Sequence, residues 1–193
     1  MGRGLLVQLP KRLRVVLASV AAIATALNHL VRSRDDGPRV VLAPGDRAPD
    51  FTLPASDGHT YGLSEFAGRQ AVVLAWFPKA FTGGCTAQCE SMGFGAGRLR
   101  RLGAACFAIS VDTPATNRSF ASSFGLDVPI LSDPEKHVAR AYGVLGASGF
   151  PSRWTFYIGL DGRIVAIDKN VRVRSHGADI EQALSELRLS RQA

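Results

Sequence analysis

Residues 71–77 read Ala-Val-Val-Leu-Ala-Trp-Phe and contain no polar side chain. A run of that length, rich in Val, Trp and Phe, suits a strand buried on both faces. Strands of this kind lie inside sheets that are covered on both sides. Pro78 to Cys89 (PKAFTGGCTAQC) follows at once, and then a helix is expected from Cys85 to about Leu102, ending at Gly103. Cys85 therefore falls where a buried strand turns over into a helix. A helix start leaves backbone N–H groups without partners and carries the positive end of the helix dipole. A thiol in such a place ionises more readily, and the thiolate is the reactive species. Cys85 is the candidate nucleophile.

The rest of the chain alternates in the same way. Phe51-Thr52-Leu53 is extended, and Asp57-Gly58 marks a hairpin turn before His59-Thr60-Tyr61. Leu63 to Phe66 suits one helical turn. Ala104 to Val111 is a second buried strand. Asp112-Thr113-Pro114 caps a helix that runs to Phe124, and Gly125 stops it. Val128 to Leu131 is a short strand, and Ser132-Asp133-Pro134 opens a helix through Tyr142. Trp154 to Ile158 and Arg163 to Ile167 are strands joined across Asp161-Gly162. Gly177-Ala178-Asp179 leads into a last helix, about Ile180 to Leu189. This order predicts an α/β domain of thioredoxin-like fold: a central mixed β-sheet flanked by helices, with an N-terminal β-hairpin.

Charge separates the two ends of the chain. Net charge is +7, but residues 1–39 hold seven Lys/Arg against Asp35 and Asp36. The remaining residues carry 16 bases and 14 acids, so the domain is not a basic nucleic-acid binder. Val15 to Leu27 is apolar, follows a basic start and contains Ala-x-Ala patterns, like a secretory signal peptide. It is short for a span, which needs roughly 20 apolar residues. The expectation is a separate N-terminal hydrophobic helix with its linker in residues 1–44, and a folded domain in 45–193. That segment implies export to the periplasm or attachment to a membrane, and a cytoplasmic location otherwise. Three cysteines (Cys85, Cys89, Cys106) are too few for a disulfide framework. They read as a reactive pair plus Cys106, a packing residue in a strand. The four histidines are scattered, and no pair has helical ligand spacing.

The frame Pro78-x-x-x-Thr82-x-x-Cys85 resembles that of the peroxiredoxins, and most closely the bacterioferritin-comigratory-protein (PrxQ-like) branch. Supporting stretches are Gly45 to Leu53, Ile109-Ser110-Val111-Asp112, Leu131-Ser132-Asp133-Pro134 and Arg153 to Ile158. The resemblance implies a thiol peroxidase for hydrogen peroxide and organic hydroperoxides, with Cys85 as the peroxidatic residue. It implies no cofactor and no metal. Arg153 shares the pocket, bringing fixed positive charge to the thiolate and to the leaving oxyanion. Thr82 offers a hydroxyl to peroxide, and Pro78, lacking an N–H, shields the sulfur. A thioredoxin-like dithiol is the implied reductant, and an intramolecular disulfide suits a monomer.

Two positions depart from the family pattern. Gly83 stands where proline is usual, which loosens the loop. The resolving cysteine commonly follows five residues after the first, whereas Cys89 follows after four. On an intact helix, i and i+4 have Cβ atoms about 5–6 Å apart, and a disulfide wants about 3.5–4.5 Å. Closure between Cys85 and Cys89 therefore requires the first helical turn to unwind. The spacing also suits a thioredoxin-like copper-delivery protein, since paired thiolates bind Cu(I). Against it stands Arg153, a permanent cation where those proteins place a histidine.

Overall fold

A computed structural model describes residues 40–189, and the basic, apolar N-terminal stretch lies outside the described residues. The first two strands, β1 (Thr52–Pro54) and β2 (Thr60–Gly62), form an antiparallel hairpin. A 3₁₀ turn, Leu63–Phe66, follows. Then come β3 (Val72–Trp76), α1 (Gly83–Arg101), β4 (Ala105–Ser110), α2 (Pro114–Phe124) and β5 (Ile130–Ser132). The chain closes with α3 (His137–Ala141), β6 (Thr155–Ile158), β7 (Ile164–Asp168) and α4 (His176–Glu186). The main sheet has the order β5-β4-β3-β6-β7. Strands β3, β4 and β5 are parallel, and β6 and β7 are antiparallel to their neighbours. This is the mixed thioredoxin-like sheet that the strand and helix order predicts.

Strand β3 is central and organises both layers. Its residues alternate, so each face receives every second side chain. Val72, Leu74 and Trp76 pack with Phe51, Leu53, Leu63, Val138 and Tyr142 beneath the hairpin and α3. Val73, Ala75 and Phe77 pack with Met92 and Leu99 of α1, Phe120 of α2, and Ile180 and Leu184 of α4. Every residue from Ala71 to Phe77 is at most 2% exposed, as a doubly covered strand requires. The parallel strands all end at one edge of the sheet, where β6 begins. Loops from four elements meet there, as at ligand sites of open α/β sheets.

Local signals placed most element ends. Thr113 accepts a hydrogen bond from the Thr116 N–H and caps α2, with Pro114 at the first helical position. Gly125 ends α2 in a left-handed conformation, φ 59°. Elsewhere tertiary contacts moved the ends. Pro129 has no N–H for the ladder, so β5 begins at Ile130 rather than Val128. Ser132-Asp133-Pro134 makes a turn, and α3 starts only at His137. Lys136 before it is left-handed (φ 61°), and the Asp133 carboxylate accepts from the Ala139 N–H at 2.7 Å. Helix α4 starts at His176, earlier than expected, because Gly177 lets it approach α1. A Cβ there would lie 2.2 Å from the Ser91 carbonyl oxygen.

That close approach predicts the first outcome. Gly177→Ala forces α4 away from α1 and costs about 2–3 kcal/mol, within the range for overpacking; urea unfolding checks it. A second follows from His176, which is wholly buried and hydrogen-bonded through Nε2 to Thr155 Oγ1 at 2.8 Å. Burial lowers its pKa from 6.5 to about 4. The unfolded chain therefore binds more protons than the folded one between these values. The contribution is fully present above pH 6.5 and is lost as pH falls toward 4, by up to about 3 kcal/mol. His176→Gln should flatten the fall of Tm between pH 7 and 4.5.

Candidate active site

The loop from Phe77 to Thr82 is tied down before the helix begins. The Phe77 N–H donates to the Ile109 carbonyl at 3.0 Å, and the Ala80 N–H donates to the Asp112 carboxylate at 2.8 Å. Asp112 stands at the end of β4 beside a buried network of Ser110, Asn117 and Ser132. Thr82 is exposed, its hydroxyl donates to the Lys79 carbonyl at 3.0 Å, and its carbonyl receives the Thr86 N–H at 2.9 Å. Helix α1 starts at Gly83, two residues before Cys85, so the thiol sits within the first turn. Pro78, at the start of the loop, is half-buried. A Cβ at Gly83 would meet nothing within 4 Å, so the place of the usual proline is open space.

Cys85 is 1% exposed and faces inward. Arg153 reaches it from the start of β6: its Nη2 donates to Cys85 Sγ at 3.3 Å. The main chain explains why. The Trp76 N–H donates to the Trp154 carbonyl at 2.9 Å, which fastens this segment to the end of β3. Arg153 has the parity of Thr155 and Tyr157, whose side chains point to the face that α1 covers. Sequence reading thus named two residues, 68 positions apart, that the fold brings into contact.

It missed a third. Gln88 is wholly buried, accepts from Arg153 Nη1 through Oε1, and donates through Nε2 to the Trp76 carbonyl at 3.3 Å. One side chain so fixes the guanidinium to the strand end. The available signal was a polar residue one helical turn after Cys85, on the stripe that carries Cys89 and Met92 into the core. Cys89 lies one turn behind Cys85 and has no exposed surface; burial, then the neighbouring Cys85, pushes its thiol up to about 12. Cys106 pairs with Val73, toward the far end of the sheet from this loop, and burial raises its thiol to about 12.

A thiol, a fixed guanidinium and a proline-led loop at a strand-to-helix turn match the peroxiredoxin frame, and the comparisons agree. The AhpC/TSA family matches residues 44–167. The chain belongs to the AhpC/TSA family. It is 36% identical over 151 residues to a Mycobacterium tuberculosis protein named as a peroxiredoxin, covering 75% of this chain and 96% of that one. It is 33% identical over 142 residues to peroxiredoxin Bcp of Escherichia coli K12, covering 70% and 90%. The solved peroxidoxin BcpB of Mycobacterium tuberculosis superposes with a TM-score of 0.68 at 32% identity, covering 79% and all of that chain. A PrxQ variant of Xylella fastidiosa shares the fold, with a TM-score of 0.70 at 23% identity, over 76% and 98%. These relatives place the chain in the Bcp/PrxQ-like branch, a family of thiol peroxidases.

The clamp on Arg153 predicts a measurable loss. Gln88→Leu keeps the volume but leaves Arg153 Nη1 and the Trp76 carbonyl without a partner. The second-order rate of Cys85 with hydrogen peroxide should fall by about ten- to a hundredfold, the scale of a misplaced electrostatic donor. Stopped-flow fluorescence of Trp76 and Trp154 reads that rate.

Proposed function

We propose that this chain reduces hydrogen peroxide and organic hydroperoxides with Cys85 as the attacking thiolate, Cys89 as the resolving thiol and a thioredoxin-like dithiol as the reductant. The observation that carries the reading is the Arg153 donor 3.3 Å from Cys85 Sγ. A hydrogen bond from a permanent cation is strongest to an anionic sulfur. The thiolate attacks one peroxide oxygen, the O–O bond breaks, and the other oxygen leaves as an alkoxide or hydroxide that takes up a proton. Arg153 meets the charge that grows on that oxygen. Thr82 spends its proton on Lys79, and its oxygen accepts the peroxide O–H. Pro78 has no N–H to compete for the sulfur.

The product, a sulfenic acid on Cys85, condenses with Cys89 and releases water. Within the helix Cys89 is dry, and burial raises its thiol to about 12. Unwinding the first turn of α1 removes both obstacles, because it wets the thiol and shortens the S–S approach. Residues 45–193 form the catalytic domain in this reading. Residues 1–44 serve for export or membrane attachment; no helix among the described residues is long and apolar enough to cross a membrane. A single chain suffices for the disulfide, so a monomer is functional. Copper delivery through Cys85 and Cys89 finds no support among the relatives, and the Arg153 cation opposes a metal ion on that sulfur.

The test is to mix the reduced protein with one equivalent of hydrogen peroxide, follow the rate and map the product by mass spectrometry. A rapid reaction that ends in a Cys85–Cys89 disulfide, and that Cys85→Ser abolishes, is expected. A rate no faster than that of a free thiol overturns the peroxidase. A rapid reaction that stops at Cys85 sulfenic or sulfinic acid removes Cys89 from the cycle and leaves the peroxidase standing.

A further inference from the structure

The loop that turns Cys85 inward turns an aromatic side chain outward. Phe81 is 53% exposed and holds a left-handed backbone, φ 60°, which a bulky residue rarely adopts. Its ring lies 6.3 Å from that of Phe124, the last residue of α2, which is 40% exposed. Both rings pack edge-on against the buried Phe120, at 5.2 and 5.3 Å. Phe150, three residues before Arg153, is also 40% exposed, and the Lys79 ammonium stands 5.5 Å from its ring. The Lys136 ammonium lies beside Gly149, where a Cβ would be 3.2 Å away. Among the acids nearby in the chain, Asp112 is occupied by the Ala80 N–H, and Glu135 stands exposed next to Lys136 and Asp127 exposed three residues after Phe124. The rim is therefore apolar at Phe81 and Phe124, with the Lys79 cation over Phe150.

We propose that this rim, centred on Phe81 and Phe124, docks the dithiol protein that reduces the Cys85–Cys89 disulfide, a partner with an apolar face flanked by carboxylates. The inference rests on the peroxidase reading. Hydrogen peroxide reacts at Cys85 Sγ, which is 1% exposed, and has no use for aromatic rings on the end of α2. A protein reductant does, because both sulfurs are buried and it must seat itself where the loop opens. Unwinding the first turn of α1 to form the disulfide frees Phe81 from Phe120 and enlarges the apolar area. The oxidised protein thus offers the better surface, and docking follows the redox state. On the docked complex a partner thiolate attacks one sulfur of the disulfide and releases the other as a thiolate. The second partner thiolate then displaces the mixed disulfide. Two electrons pass, two Cys thiols re-form, and the partner leaves as a disulfide. Lys79 faces a carboxylate of the partner, which favours an acidic reductant.

Phe124→Ser and Lys79→Glu test this on the full chain. Three rates are compared with wild type: single-turnover oxidation by hydrogen peroxide, turnover with dithiothreitol, and turnover with a bacterial thioredoxin recycled by its reductase and NADPH. Expected are peroxide and dithiothreitol rates within twofold of wild type and a fall of at least tenfold in kcat/KM for thioredoxin, mainly through KM. If Phe124→Ser also slows the peroxide step, its packing is disturbed, and Lys79→Glu alone decides. An unchanged thioredoxin kcat/KM in the deciding variant overturns the proposal. So does the absence of thioredoxin turnover in the wild type; a fast peroxide step with dithiothreitol turnover would then leave the peroxidase intact. Sedimentation showing a wild-type dimer that Phe124→Ser dissolves assigns the rim to a second copy, and also overturns it.

Discussion

The site depends on a half-buried guanidinium held against a buried sulfur. A cation that partly leaves water costs free energy unless its donors are met. Arg153 meets the cost with Cys85 on one nitrogen and Gln88 on another, and Gln88 is itself anchored to the end of β3. The three side chains come from the segment before β6 and from two turns of α1. Their mutual position is therefore only as good as the seat of α1 on the sheet. That seat is the packing of Cys85, Cys89, Met92 and Leu99 on the face of β3 that carries Val73, Ala75 and Phe77.

The same arrangement carries a tension. Cys89 belongs to that packed stripe, one turn behind Cys85, so the helix that presents Cys85 also keeps Cys89 dry. A spacing of four residues puts both thiols on one face at a distance that an intact helix does not close. In the proposed cycle, preorganisation for peroxide and resolution of the sulfenic acid therefore draw on opposite states of the first turn. Gly83 lies at this hinge with open space around it and no ring to stiffen it. In the wound state, Phe81, packed edge-on against Phe120, and the Ala80–Asp112 hydrogen bond keep the turn in place.

Elements legible along the chain were those written among neighbours. The seven-residue apolar run became β3, the Asp57-Gly58 turn joined β1 to β2, and Thr113, Pro114 and Gly125 bounded α2. Readings slipped where a distant group decided the outcome. Helix α4 began early because Gly177 fits against Ser91, and α3 began late because Asp133 capped a later N–H. Gln88 belongs to no local motif, and only its burial and its bonds to Arg153 and the Trp76 carbonyl show its use.

The sequence alone therefore determined the α/β alternation, the strand that is buried twice over, and the thiol at a strand-to-helix turn. These follow from hydrophobic period, turn chemistry and caps, which act over a few residues. The tertiary structure decided that Arg153 meets Cys85 across 68 residues, that Gln88 clamps it, and that Phe81 and Phe124 share an exposed rim. Those contacts depend on strand order and on how closely helices approach the sheet, and no local pattern encodes either.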